Sequence, residues 1–114
     1  MSGVNGYRTA NARHLLAMHL EGMDRYSDAL PLRRTQLSIL REERGVEEPW
    51  TLAAELHLGF NLAGLGEYNE ARQLFVHARD AFERCEGPNS DGAVRASELI
   101  AWVDERSQLD STAD

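Results

Sequence analysis

The chain has 114 residues, 42% of them hydrophobic and 27% charged, the composition of one ordinary globular domain with enough chain to bury a core. Its formal charge is −7, and all twelve basic residues are arginine, so the basic face that nonspecific nucleic-acid binding requires is missing. No apolar run approaches the roughly 20 residues that span a bilayer, and the single Cys85 excludes an internal disulfide.

In chain order, residues 1–6 are small and polar and are expected to fray. They carry no basic segment followed by an apolar one, so a secretory leader is not expected and cytoplasmic residence follows by default. A first helix is expected over Tyr7–Glu21, where Ala12, Leu15, Leu16 and Leu20 recur at helical spacing, with Gly22 ending it. A second is expected over Ser27–Arg44, carrying Leu30, Leu32, Leu37, Ile39 and Leu40. Pro31 should fall near its first turn, where few amide donors are yet needed, and Gly45 should cap its end. Glu47, Glu48 and Pro49 form a linker.

The third helix, expected over Trp50–Ala63, is the most apolar stretch of the chain. Gly59 in its middle costs roughly 1 kcal/mol relative to alanine, which close helix packing best explains. A fourth is expected over Tyr68–Cys85 with Ala71, Leu74, Phe75, Ala78, Ala81 and Phe82 inward, stopped by Gly87 and Pro88. Asn89, Ser90 and Asp91 are N-cap candidates for a last helix over Asp91–Gln108, and residues 109–114 are expected to be a disordered tail.

These elements repeat. The stretch Gly64–Ala71 reads as a tight turn between helices, with Gly64 and Gly66 supplying backbone freedom. The same turn stands 42 residues upstream as Gly22–Ala29, so that Tyr26 answers Tyr68 and Ala29 answers Ala71. The register extends to three adjacent columns: Leu16, Leu58 and Ile100; Ala17, Gly59 and Ala101; Met18, Phe60 and Trp102. A fixed period of this length marks stacked helical hairpins. The expected fold is all-α, with hairpins at 7–45 and 49–87 and a single capping helix at 90–108.

The residues Leu58, Gly59, Gly66, Tyr68, Ala71, Leu74, Phe75 and Ala78, matched in the first copy by Leu16, Ala17, Tyr26, Ala29 and Leu32, resemble the tetratricopeptide repeat. The 42-residue period resembles the longer form found in kinesin light chains and many bacterial proteins. That resemblance implies a right-handed superhelix whose first helices line the concave side. The groove would then be lined by Asn11, His14, Met18, Glu21, Ala53, Leu56, Phe60, Ala63, Arg95, Glu98, Trp102 and Glu105. Glu21, Glu98 and Glu105 would rim it and favour a basic ligand. Where the family often carries asparagine on the first helix, this chain has His14 and Leu56. The Met18, Phe60 and Trp102 column is either an exposed binding stripe or core between helices.

Enzyme chemistry finds little support in the residues. His14, His19, His57 and His77 have no HExxH spacing and no partner cysteine at ligand spacing, so no metal site is expected. Glu42, Glu43, Glu47 and Glu48 sit at helix ends as a solvated face, and Gly64–Gly66 is a turn rather than a phosphate loop. No cofactor, membrane or direct nucleic-acid partner is implied. A non-enzymatic module binding a peptide or protein partner is expected. The alternatives are a homodimer formed through the open ends or the last helix, and a regulatory piece of a larger signalling or transcription system.

Overall fold

The computed structural model describes the backbone of residues 2–112 and the side chains of residues 11–110. Five helices make up the described chain: α1 (Ser2–Gly22), α2 (Tyr26–Arg44), α3 (Pro49–Gly64), α4 (Tyr68–Glu86) and α5 (Asp91–Thr112). Helix reaches back to Ser2 and on to Thr112, into both segments whose composition suggested fraying. Met1 and residues 113–114 lie outside the described residues. Each helix packs on the next, and α3 also touches α5. The result is two antiparallel hairpins followed by a fifth helix in the place of a third hairpin's first member. The extents, 53 × 34 × 18 Å, are those of a slab about two helices thick.

The two interhelix turns have matched hydrogen bonds. In the first, the Arg25 amide donates to the Leu20 carbonyl at 2.8 Å; in the second, the Glu67 amide donates to the Leu62 carbonyl at 2.9 Å. The left-handed residue that makes this closure possible is Gly66 (φ 83°) in one and Asp24 (φ 60°) in the other. Backbone freedom is therefore needed at Gly66 but not at Gly64 or Gly22, which end their helices. Gly64 serves a different purpose. A Cβ there would lie 2.6 Å from the Tyr26 ring, which packs flat on the bare backbone. Gly59 likewise faces the Phe75 ring, 2.5 Å from where its Cβ would stand.

Pro31 falls in the second turn of α2 rather than the first, because the helix already begins at Tyr26. The carbonyl of Ser27 thereby loses its usual amide partner, at a residue that is exposed to solvent. Glu48 caps α3 by accepting from the Trp50 amide at 2.9 Å, and the Ser90 hydroxyl accepts from the Ala93 amide at 3.3 Å at the start of α5.

The core is built around α3, whose Leu52, Leu58 and Leu62 are buried between α2 and α4. Phe75 is the largest fully buried side chain, and a run of alanines (Ala71, Ala78, Ala81, Ala93, Ala96) lets α4 and α5 approach closely. Two carboxylates are buried with partners. Glu55 accepts from Arg41 Nη2 at 3.1 Å and is 2.8 Å from His77 Nδ1; Glu21 is held by Arg33.

Candidate binding groove

One face of the slab carries a groove of about 870 Å³. Its walls come from α1 (His14, Met18, Glu21), α3 (Ala53, Leu56, His57, Phe60) and α5 (Arg95, Leu99), with Tyr26, Arg33 and Phe82 reaching in from α2 and α4. The first helices of the repeats supply most of the lining because each repeat turns the same edge of its first helix toward that side.

The apolar centre is aromatic. Phe60 stacks on Trp102 with centroids 5.4 Å apart and planes 17° from parallel, and Tyr26 meets Phe60 edge-on at 6.3 Å. The Arg106 guanidinium lies 5.6 Å from the Trp102 ring centre. Phe60 is 38% exposed and Met18 52%, so the column shared by Met18, Phe60 and Trp102 opens onto the surface at its first two members. Trp102 is half-buried and supports Phe60 from behind.

The polar wall is a buried network joining the two repeats. Arg33 Nε and Nη2 donate to the Glu21 carboxylate at 3.1 and 2.7 Å, and its Nη1 donates to His14 Nδ1 at 2.8 Å. That last bond makes Nδ1 the acceptor and leaves the His14 proton on Nε2. Asn61 Nδ2 donates to Glu21 at 2.8 Å and to the Tyr26 carbonyl at 3.0 Å, tying α3 to the first hairpin. The His14 and His57 rings lie 5.0 Å apart. Burial, and then the Arg33 guanidinium, push His14 below the usual histidine range against the pull of Glu21. The same two causes, with His14 added, push His57 down to about 4. Both rings are therefore neutral at neutral pH. His57 Nδ1 and Asn61 Oδ1 are buried with no hydrogen-bond partner among the described residues, so the wall holds two unsatisfied polar atoms.

Of the residues expected to line the groove, His14, Met18, Glu21, Ala53, Leu56, Phe60 and Arg95 come together. Asn11, Glu98 and Glu105 are exposed but stand outside it, and Ala63 is buried in the core. The expectation of a rim of free carboxylates is corrected at Glu21. It is 8% exposed, and its charge is taken up by Arg33. Arg95 stands at the edge with Glu98 only 3.8 Å away, while Asp24 and Asp91 also contribute lining. The groove thus has mixed charge at its borders rather than an acidic rim.

Sequence reasoning missed Arg33, Tyr26, His57, Leu99 and Phe82 as groove residues. A signal for Arg33 does exist. Its register partner is the buried Phe75, and that of Glu21 is the buried Ala63, so two charges replace two core residues in one copy.

A family model described as tetratricopeptide repeat matches residues 8–75 and again residues 50–112. The chain belongs to the tetratricopeptide repeat family. No curated protein matches it. Tetratricopeptide repeats are generally protein–protein interaction modules and typically scaffolds rather than enzymes. The overlapping matches agree with the helix pairing, α1/α2 and α3/α4 with α5 opening a further unit. No helix of this tetratricopeptide-repeat protein, among the described residues, is long and apolar enough to cross a membrane.

Proposed function

We propose that this tetratricopeptide-repeat protein is a non-enzymatic module that holds a peptide segment of a protein partner along the groove. The observation that carries the reading is the half-exposed Phe60 ring at the groove's centre, propped by Trp102 and flanked by Met18. Rigid aromatic surface open to solvent between well-packed helices is where binding energy concentrates. The ligand favoured has an apolar anchor side chain and no strong negative charge, since Glu21 is neutralised from within, Arg95 faces Glu98, and Asp24 and Asp91 stand at the border. We take the 42-residue period as the mark of the longer form of the repeat.

A displayed random-peptide library panned against the intact chain tests this. Enriched peptides should share an apolar anchor, and a synthetic representative should bind in titration. Phe60→Ala should weaken that binding at least about tenfold. Because Phe60 is part-exposed, the same change should destabilise the fold by only about 1–2 kcal/mol, not the roughly 3–5 kcal/mol of a buried phenylalanine. No enrichment, or unchanged affinity in Phe60→Ala, would sink the proposal.

A further inference from the structure

Two seams join successive repeats in this chain, and matching positions in them carry opposite chemistries. At the first, between the α1/α2 hairpin and α3, stand His14, Glu21, Arg33, His57 and Asn61. One 42-residue period on, between the α3/α4 hairpin and α5, the same five positions hold Leu56, Ala63, Phe75, Leu99 and Val103, all buried. The apolar set is sufficient to close a seam of this kind, and α3 touches α5 across it. Exchanging a buried charged cluster for apolar side chains is commonly neutral or stabilising, so cohesion alone does not account for the polar set.

What the polar set can do and the apolar set cannot is titrate. Arg33 Nη1 donates to His14 Nδ1 at 2.8 Å, a bond that exists only while Nδ1 carries no proton. Protonation turns that nitrogen into a second donor and sets a cation against a guanidinium whose other nitrogens are committed to Glu21. The His57 ring lies 5.0 Å from His14 and meets the Arg33 charge as well. The charged groups acting on the pair are Glu21 of α1, Arg33 of α2 and Arg95 of α5. Asp24 and Asp91 stand at the border of the same groove, and Phe82, the α4 residue that reaches it, is uncharged. Glu21 cannot offset new positive charge freely, because both of its oxygens already accept hydrogen bonds. His57 Nδ1 and Asn61 Oδ1 are buried without a partner among the described residues, a cost that water removes when the seam parts.

We infer that the first seam is an acid-operated hinge: protonation of the His14–His57 pair parts α1 from α3 on the groove side while the apolar second seam stays shut. The pivot is the packing of α2 on α3, where Leu37 joins the shared core. Met18 rides on α1 and Phe60 on α3, so the motion carries one wall of the groove away from the other. The hinge belongs to the two hairpins and does not depend on what the groove holds.

Distances between paired spin labels, measured by pulsed electron paramagnetic resonance at about pH 7.5 and about pH 5, test it, since ordinary carboxylates stay ionised over that range. Labels on the exposed Asn11 and Glu98 span both seams, and labels on the exposed Glu67 and Glu105 span only the second. Both pairs are placed in a Cys85→Ser background, which removes the exposed native thiol. On acidification a wider population should appear in the first pair and not in the second. His57 is held at about 4 in the closed seam and returns to about 6.5 when freed, so at about pH 5 it alone should raise the ratio of open to closed by about thirtyfold. His14, also pushed down in the closed seam, adds in the same direction. His14→Gln with His57→Gln keeps a side-chain acceptor at each position without a titrating ring and should abolish the widening; His57→Gln alone should reduce it. An unchanged first distance with both histidines present, equal widening of the two pairs, or widening that persists in the double variant would overturn the inference.

Discussion

Removing the Glu21 carboxylate would leave a guanidinium stranded in the interior. Arg33 is 3% exposed and gives two of its hydrogen bonds to Glu21, at 3.1 and 2.7 Å; a third reaches the same carboxylate from Asn61 at 2.8 Å. After Glu21→Ala, Arg33 keeps only the neutral His14 ring as a side-chain partner. Breaking one side of such a buried pair costs about 3–5 kcal/mol. That is a large share of the roughly 5–15 kcal/mol of a domain, and it corresponds to a fall of roughly 10–25 °C in melting temperature. Taking both charges out is a different experiment. Glu21→Ala with Arg33→Met removes the stranded charge and keeps apolar length, and should return to within about 1 kcal/mol of the wild type or exceed it. Methionine is the right substitute rather than phenylalanine, although Phe75 is the register partner. Phe75 lies over Gly59, where a Cβ would come 2.5 Å from the ring, and the matching position in the first copy is Ala17. Urea unfolding followed by far-ultraviolet circular dichroism measures all three proteins. A single variant that loses less than about 1 kcal/mol, or a double variant no better than the single, would refute the view that Glu21 and Arg33 act as one desolvated unit.

Two further predictions separate residues that look alike in sequence. Gly59→Ala should destabilise by about 1–2 kcal/mol, because overpacking against Phe75 outweighs the gain in helix propensity. Gly22→Ala, with nothing within 4 Å of its Cβ, should be neutral or stabilising by up to about 1 kcal/mol in the same melting assay. Stability should also fall on acidification in a way that depends on His57. Its folded pKa of about 4 lies below the ordinary 6.5, so the unfolded chain takes up a proton first. The contribution is fully present above about pH 6.5 and is lost as pH falls toward about 4, by up to about 3 kcal/mol. Urea midpoints at about pH 7.5 and about pH 5 should therefore differ less in His57→Gln than in the wild type; equal differences would count against a desolvated, neutral His57.

Most of the fold was legible because its causes are local. A helix is specified by apolar spacing along its own length, and its end by turn chemistry within a few residues, so the five helices and both hairpins follow from periodicity and the repeated turn. The departures also have local causes. Pro31 lies a turn further into α2 than its sequence context predicts, because Tyr26, which reads as a turn residue, is already helical. The turn pattern assigns backbone freedom to Gly64, whereas its bare backbone is a landing place for the Tyr26 ring of the first hairpin. About half of the groove was legible too, since register assigns residues to edges of helices. Its polar wall was not. The repeat's facing puts Glu21 on the groove rim, and only its approach to Arg33 and Asn61 in space makes its burial tolerable.

The sequence by itself determined that this chain is a stack of helical hairpins on a 42-residue period, which residues share each edge, and where the turns fall, because these depend on spacing along one strand of backbone. Only the tertiary structure decided what each edge meets. Leu16, Leu58 and Ile100 occupy one column of the repeat and are chemically near-identical, yet they are 49%, 3% and 7% exposed. Burial is a property of the neighbour as much as of the residue. The α2 helix packs on the helix that carries Leu58 and α4 on the helix that carries Ile100, whereas Leu16 is left half exposed among the described residues.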